Sequence, residues 1–299
     1  MLGPFLETLI GGLLTGVLYA LVALGFVLIF KASGVFNFAQ GAMVLFAALA
    51  VARLSEVMPL VVAIACAIVI MVVLAYAIEF LVLRRLVNQE GIILFMATLG
   101  IAYFLDGFGQ TIWGSDIYKI NLGIPKEPVF LFESVFPGGL LIDREEVAAA
   151  VGCAILVAGL AIFFQVTRVG RALRAVADDH QAAQSVGIPL NTIWLVVWAV
   201  SGIVAIAAGM VWGSKLGVQF SISLVALKAL PVLILGGFTS IPGAIVGGII
   251  IGVGEKLGEF YWGPLIGSGI ESWLAYAIAL VFLLFRPQGL FGEKIIERI

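Results

Sequence analysis

Charged side chains are scarce in this chain. Lysine, arginine, aspartate and glutamate make up 11% of its 299 residues, whereas hydrophobic residues make up 63%. Soluble domains carry roughly 25% charged residues, so this composition excludes a soluble globular fold. Apolar runs near 20 residues recur along the whole chain, and about 20 such residues cross the hydrocarbon core of a bilayer as a helix. The composition therefore predicts an all-α polytopic membrane bundle, organised as a single domain over 1–299.

Histidine and cysteine are equally scarce. The one histidine is His180, and the two cysteines, Cys66 and Cys153, lie far apart within apolar runs. No HExxH pair, GxSxG motif or glycine-rich phosphate loop is present. We therefore predict no metal, no cofactor and no catalytic residues on this chain, and an intramembrane enzyme is a remote alternative. A lone histidine in a charged helix is most often a surface residue.

The apolar runs predict eight or nine spans. The first run is too long for a cleaved signal peptide, so it is predicted to be a retained span. The predicted spans are 5–30, 38–56, 60–83, 91–113, 146–166, 191–213, 218–238, 241–257 and 272–286.

Two regions, 31–58 and 214–257, carry glycine, proline or polar residues within apolar sequence. Interrupted membrane helices are tolerated where the freed backbone is buried or lines a cavity, and in transporters they mark the substrate route. The segments FNFAQGA (36–42) and FTSIPGA (238–244) share Phe, Gly and Ala. This likeness suggests an internal repeat.

Positive charge near span ends predicts the orientation. The arginines at the ends of the third, fifth and last spans are placed on the cytoplasmic side, and successive loops then alternate between the two sides of the membrane. This arrangement places nine Lys/Arg residues inside and six outside. The N-terminus is then outside and the C-terminus cytoplasmic. The inside residues are Lys31, Arg84, Arg85, Arg168, Arg171, Arg174, Arg286, Lys294 and Arg298, and the outside residues are Arg53, Lys119, Lys126, Arg144, Lys215 and Lys256.

Four of the ionisable residues within predicted spans are candidates for chemistry: Glu79, Asp106, Lys228 and Glu255. Glu79 lies about one turn from Arg84 and is expected to pair with it, Lys228 is able to snorkel to an interface, and Glu255 is placed at a span end. Asp106 belongs to a stripe at four-residue spacing with Thr98 and Gln110, which share one helix face. Intramembrane carboxylates usually face a cavity or a partner, so Asp106 is either a pathway residue or a structural or interfacial one.

The polar groups at or beside the interrupted helices are the candidates for the transport pathway. They are Asn37, Gln40, Thr98, Asp106 and Ser240. The four ionisable residues are scattered, whereas a transporter driven by an ion gradient usually needs a tight intramembrane cluster. Energy is therefore expected to come from outside this chain.

Glycine pairs at four-residue spacing recur near both ends of the chain, as Gly12/Gly16, Gly243/Gly247 and Gly248/Gly252. This spacing is typical of close helix–helix contact in membranes, and it is equally typical of ordinary interior packing. In either case it predicts tight helix contacts and gives no information on substrate.

A charged, alanine-rich segment, TRVGRALRAVADDHQAAQSVGI (167–188), separates two long apolar runs. Its composition favours a helix, and Gly187-Ile188-Pro189 predicts where that helix stops. A simple connection between spans needs only a few residues. We therefore predict that the segment of about 167–190 is a cytoplasmic docking helix for another protein.

The longest predicted outside segment is 114–145. It contains Pro125, Pro128 and Pro137 and a Phe/Val-rich middle. Two interpretations stay open: a small extracytoplasmic hairpin that meets a partner, or a solvated connector.

Four stretches resemble the permease subunits of ABC importers for branched-chain amino acids, in particular the first of the two permeases in such systems. They occur in order from one end of the chain to the other. The stretches are GLLTGVLYALVALGFVLIFKASGVFNFAQGAM (12–43), GRALRAVADDHQAAQSVGI (170–188), LKALPVLILGGFTSIPGAIVGGIIIGV (227–253) and RPQGLFG (286–292).

The resemblance implies that residues 170–188 form the coupling helix of the permease. Its QAAQSVG sequence is similar to the Glu-Ala-Ala-xxx-Gly loop of such subunits, with Gln181 in the place of the acidic residue. The residues implied in coupling are Arg168, Arg171, Arg174, Asp178, Asp179, Gln181, Ala182, Ala183 and Gly187.

The resemblance also implies the partners of the chain in the bacterial-type cytoplasmic membrane. They are two ATP-binding subunits that use the ATP, a second and usually different permease, and an extracytoplasmic substrate-binding protein. No nucleic acid is expected. The alternative hypothesis is a self-sufficient secondary transporter of small apolar solutes, which would transport alone and depend on an ion gradient and on Asp106.

Overall fold

The structure, a computed structural model, describes residues 2–87, 89–125, 127–131, 139–267 and 269–292. Of the orientation anchors, Lys126, Lys294 and Arg298 lie outside the described residues, as does part of the 114–145 segment. The elements in chain order are α1 Leu2–Ser33, α2 Gln40–Ser55, α3 Leu60–Leu81, α4 Gly91–Trp113, β1 Pro128–Leu131, β2 Leu140–Asp143, α5 Arg144–Val166, α6 Arg168–Asp178, α7 His180–Ser185, α8 Leu190–Leu216, α9 Ser221–Ala226, α10 Ala229–Gly236, α11 Ile241–Ile266 and α12 Leu274–Phe285.

The polytopic helical bundle predicted from the sequence is confirmed. Every predicted span coincides with a helix, and the 218–238 span is divided into α9 and α10. Within the described residues, six helices are long and apolar enough to cross a membrane, namely those over 3–33, 60–85, 91–113, 144–166, 190–216 and 241–266. The remaining apolar helices over 40–55, 221–236 and 274–285 are shorter, because glycine, proline and polar residues interrupt the sequence there.

The chain divides into two compact units. The first comprises Met1–Ala23, Gly123–Val157 and Lys228–Ile299, and the second comprises Leu24–Leu122 and Ala158–Leu227. The organisation as a single permease domain over 1–299 stays a prediction.

In the second unit, α2 and α8 form the core. Helix α2 is buried from Gln40 through Ala52, and it contacts α3, α4, α8 and α9. By contrast, α3 and α4 bury one face only, and their other face exposes large apolar side chains such as Val73 and Phe104. Exposed apolar surface of this extent is expected where a helix meets lipid.

In the first unit, α11 packs against α10 and α12, and the chain segment after α12 returns to the end of α10. The backbone N–H groups of Leu290 and Phe291 donate to the carbonyls of Leu235 and Gly236, at 2.8 and 3.1 Å. These bonds satisfy carbonyls of the last turn of α10, which have no partner within the helix. The RPQGLFG segment therefore has a structural function as a C-terminal cap.

The segment at 114–145 contains an antiparallel strand pair. Strand β1 pairs with β2 in a register that sets Pro128 opposite Asp143 and Leu131 opposite Leu140. Of the two interpretations left open by the sequence, the structure agrees with the hairpin. Whether this hairpin meets a partner stays a prediction.

The two predicted repeat segments occupy similar positions. Each follows a helix break and opens a new helix, with Gln40 beginning α2 and Ile241 beginning α11. In each, a Cβ on the glycine would clash with a backbone carbonyl: Ser223 for Gly41, and Gly236 for Gly243. The shared Phe, Gly and Ala therefore accompany a shared local structure, and the internal repeat itself stays a prediction.

Candidate functional site

The predicted docking segment is helical, but it forms two helices instead of one. Helix α6 ends at Asp178, and Asp179 adopts an extended conformation before α7 begins at His180. The Asp179 carboxylate accepts hydrogen bonds from the backbone N–H groups of Gln181 and Ala182, at 2.8 and 3.0 Å. An aspartate in this position is a favourable N-cap. The prediction of one continuous helix was therefore wrong, because the second residue of the acidic pair starts a new helix.

The hydrogen bonds from the backbone N–H groups of Ala182 and Gln181 hold the pKa of the Asp179 carboxyl below its usual range. A group whose pKa is depressed by folding stabilises the folded form while it is ionised. The cap is therefore complete at neutral pH, and it weakens only when the pH falls through the lowered pKa. The Asp179 side chain therefore stabilises the start of α7 within the docking segment.

Gly187 ends the segment as the sequence predicts. Its φ of +86° lies in the left-handed region. The Gly187 N–H donates to the carbonyl of Gln184 and the Ile188 N–H to that of Ala183, each at 3.0 Å. This pair of bonds is the Schellman arrangement that closes many helices.

Two of the three docking-segment arginines bind the end of α5. The Arg174 guanidinium donates to the carbonyl of Phe164 at 2.8 Å, and that of Arg171 donates to the carbonyl of Val166 at 3.2 Å. Cations that bind the last carbonyls of a helix stabilise it. Gly170 allows the close approach, because a Cβ there would overlap the Phe164 backbone. These two arginines therefore hold α6 against α5.

The outward face of the docking segment is mostly polar, and Val186 is a large apolar side chain on it. Gly170, Leu173, Val176 and Ala183 are buried, whereas Arg168, Asp178, Gln181, Ala182 and Gly187 are exposed. Val186 is 76% exposed beside the Gly187 turn. Its exposure leaves Val186 free to contact a partner. The sequence analysis did not single it out, since sequence alone did not show which face of the turn is exposed.

His180 is not a simple surface residue. It is half-buried, and its Nε2 lies 3.1 Å from the carbonyl oxygen of Ala32, in the last turn of α1. The indole Nε1 of Trp194 donates to the same oxygen, also at 3.1 Å. The expectation from the sequence was wrong because nothing local to His180 reveals a contact 148 positions away.

Three of the five pathway candidates lie around the break between α1 and α2, and all three are closed to solvent. Asn37 and Gln40 are fully buried and Thr98 is 3% exposed. The Asn37 Oδ1 accepts from the Ala39 N–H at 3.0 Å, and the Thr98 hydroxyl oxygen accepts from the Phe38 N–H at 3.3 Å.

Gln40 joins three helices of the second unit. Its Oε1 accepts a hydrogen bond from the Ser201 hydroxyl of α8, and its amide packs on Gly25 of α1, where a Cβ would come within 2.8 Å of Nε2. The buried Nε2 has no hydrogen-bond partner among the described residues. An unpaired buried amide nitrogen is costly, so this junction is less stable than a fully hydrogen-bonded one would be.

The other two pathway candidates differ in character. Asp106 is partly buried on α4, and its buried Oδ1 has no hydrogen-bond partner among the described residues. Ser240 is the N-cap of α11, and its hydroxyl accepts from the Gly243 N–H at 3.0 Å. Ser240 therefore has a structural function that needs no substrate.

The remaining intramembrane charges form ion pairs. Glu79 accepts from Arg84 at 3.0 and 3.1 Å, as expected from the sequence. Lys228, at the N-cap of α10, pairs with Glu255 at 3.1 Å. Glu255 does not lie at a span end, because α11 continues to Ile266. Lys228 forms an ion pair, whereas the sequence analysis expected it to snorkel to an interface.

Comparison with known proteins gives a family over nearly the whole chain. A family described as "Branched-chain amino acid transport system / permease component" matches residues 8–286. The high-affinity branched-chain amino acid transport system permease protein BraD of Pseudomonas aeruginosa is 29% identical over 99% of this chain and 98% of the relative. The corresponding protein LivH of Escherichia coli is 27% identical over the same shares.

Among solved structures, PsaBC from Streptococcus pneumoniae in complex with Fab matches 97% of this chain and 98% of that chain, at 16% identity and a TM-score of 0.47.

Proposed function

Because the chain belongs to the family of permease components of branched-chain amino acid transport systems, we propose that it forms part of the membrane pathway of an ATP-driven importer for branched-chain or related amino acids. It is a multi-pass membrane protein and a transport component, not an enzyme. ATP use belongs to partner ATPase subunits. The pathway is shared with a second permease, of a different sequence, and substrate is delivered by an extracytoplasmic binding protein.

The docking segment carries this proposal. Residues 168–185 form two capped helices held to α5 by Arg171 and Arg174 and closed by Gly187. We propose that its exposed face, including Val186, contacts an ATP-binding subunit on the cytoplasmic side. The N-terminus then lies outside and the C-terminus in the cytoplasm of a cell with a bacterial-type inner membrane. A rigid segment of this kind is suited to convert closure of the ATPase into a rigid-body movement.

The five pathway candidates divide by their surroundings. Asp106 retains its candidacy because part of its side chain is exposed and Oδ1 is unpartnered among the described residues. Asn37, Gln40 and Thr98 are buried, so they would reach substrate only when the break between α1 and α2 rearranges. Ser240 is the weakest candidate, since its hydroxyl caps α11.

Replacing Val186 with aspartate is expected to abolish recovery of ATPase subunits and to abolish uptake. Val186 is 76% exposed, so the substitution should not disturb the fold, whereas a carboxylate in a closed protein interface is costly. The measurement is pull-down of the tagged chain in mild detergent, followed by ATP-driven uptake in liposomes containing all subunits. Val186 is preferable to Arg171 here, because Arg171 also binds the end of α5.

Val57→Asp is the matched control. Val57 is 81% exposed and lies in the turn after α2, which the predicted orientation places outside. ATPase recovery should stay at the wild-type level in this variant. Recovery of ATPase subunits with Val186→Asp would overturn the docking proposal. Uptake by the wild-type chain alone, dependent on an ion gradient and on Asp106, would instead support the secondary transporter.

Gly187→Pro is expected to leave the protein inserted and to abolish uptake. Proline fixes φ near −65°, whereas Gly187 has φ of +86° and donates its N–H to Gln184. Gly187→Asn is the control, because asparagine tolerates the left-handed conformation at this helix position and retains the N–H. Uptake should survive in the asparagine variant; equal uptake in both variants would contradict a role for this turn.

A further inference from the structure

The C-terminal end of α1 is held by the docking segment and by α8. The carbonyls of the last helical turn have no partners within the helix. At the end of α1, the Ala32 carbonyl receives two side-chain groups, the indole N–H of Trp194 and the His180 imidazole, each at 3.1 Å. Both groups come from residues more than 140 positions further along the chain.

The Trp194 indole and the His180 imidazole belong to different elements, one in the core and one in the docking segment. Trp194 lies in the first turns of α8 and is 3% exposed, so it is fixed in the core of its unit. His180 is the first residue of α7, within the docking segment, and it is half-buried. Asp179, the N-cap of α7, directly precedes His180. The position of the imidazole is therefore set by the docking segment.

The Ala32 carbonyl lies just before the break between α1 and α2. Gly34 follows with a φ of +71°, and the next residues include Asn37 and Phe38, which bonds Thr98. The break ends at Gln40, whose buried Nε2 is unpartnered among the described residues. A force applied at Ala32 therefore acts directly on the irregular backbone that carries Asn37, bonds Thr98 and leads into Gln40.

We propose that His180 is a positioning residue that connects the docking segment to the α1–α2 break through the Ala32 carbonyl, while Trp194 caps the end of α1 in every state. Movement of the docking segment by the ATPase is transmitted to the break by this contact. The inference rests on the proposed function, and it adds a specific route from the docking segment to the pathway.

The test is the number of ATP molecules hydrolysed per substrate transported, measured with the complete complex and its binding protein in proteoliposomes. His180→Ala should raise this ratio by roughly fivefold, the size of a modest coupling free energy. Recovery of ATPase subunits should be unchanged, because His180 faces Ala32 and Trp194 still caps α1. A merely structural residue would lower assembly and leave the ratio of the remaining complexes unchanged.

His180→Gln is the matched variant, since its side-chain amide carries a donor at similar reach, and it should restore the ratio to near the wild-type value. An unchanged ratio in His180→Ala overturns the inference, as does a raised ratio in His180→Gln. If His180→Ala does not assemble, His180→Met, which fills the space without a donor, is measured with the same two criteria. Absence of ATP-driven uptake by the wild-type complex would refute the proposed function itself.

Discussion

Replacing Gly252 with alanine is expected to destabilise the protein strongly, although alanine is the better helix former. A Cβ at Gly252 would lie 2.5 Å from the Gly16 Cα and 2.6 Å from the Gly12 carbonyl oxygen, both in the backbone of α1. Backbone cannot rotate away as a flexible side chain does, so α1 and α11 must separate. Overpacking of this kind costs about 1–3 kcal/mol, and close backbone contact is what small residues provide between membrane helices.

The measurement is thermal unfolding of the purified chain in detergent, in which we expect the Tm to fall by roughly 5 °C. Gly11→Ala is the matched control. Gly11 also lies on α1, and a Cβ added at Gly11 meets nothing within 4 Å. It should be neutral or slightly stabilising, because alanine is favoured over glycine in a helix by about 1 kcal/mol. Equal Tm values for the two variants would contradict the close α1–α11 contact.

Lys228→Met is expected to cause the second large loss. Glu255 is fully buried and Lys228 is 27% exposed, and the two pair at 3.1 Å. The Tyr19 side chain lies beside the same glutamate. Removal of one partner from a buried ion pair typically costs about 3–5 kcal/mol, because the remaining charge is left uncompensated. The expected result is a low yield of folded protein and a lower Tm in detergent.

The double variant Lys228→Met/Glu255→Gln separates the charge effect from the loss of packing. It removes both charges and keeps a hydrogen-bonding group beside Tyr19, so it should recover much of the stability lost by Lys228→Met. The double-mutant cycle gives the interaction free energy of the pair.

Lys256→Met is the control at the neighbouring position. Lys256 pairs with Glu271, and both side chains are more than a third exposed. Exposed pairs contribute about 0–1 kcal/mol, so this variant should differ little from the wild type. A loss as large as that of Lys228→Met would show that burial is not what distinguishes the two pairs.

The sequence by itself determined the helical membrane architecture and most helix positions. Long apolar runs form helices in a bilayer because their backbone groups must be satisfied within the segment, and this requirement is local. The breaks at Gly34 and Gly237 and the end of the docking segment at Gly187 were also predictable, because glycine is the residue that readily adopts a positive φ angle. All three glycines have positive φ angles in the structure. The family followed from four ordered motifs.

Only the tertiary structure decided which of these helices meet and what each polar side chain contacts. The glycine pairs predicted close packing, but not that Gly12 and Gly16 of α1 lie against Gly248 and Gly252 of α11. No local pattern indicated that Arg171 and Arg174 bind the end of α5.

The same holds for two contacts that the predictions test, one for coupling and one for stability. His180 meets Ala32 across 148 positions and Lys228 meets Glu255 across 27. Pairing over such distances depends on how helices pack, and packing is set by the fit of whole surfaces. Local residue patterns determine that a helix forms and where it stops. They do not determine which other helix packs against it.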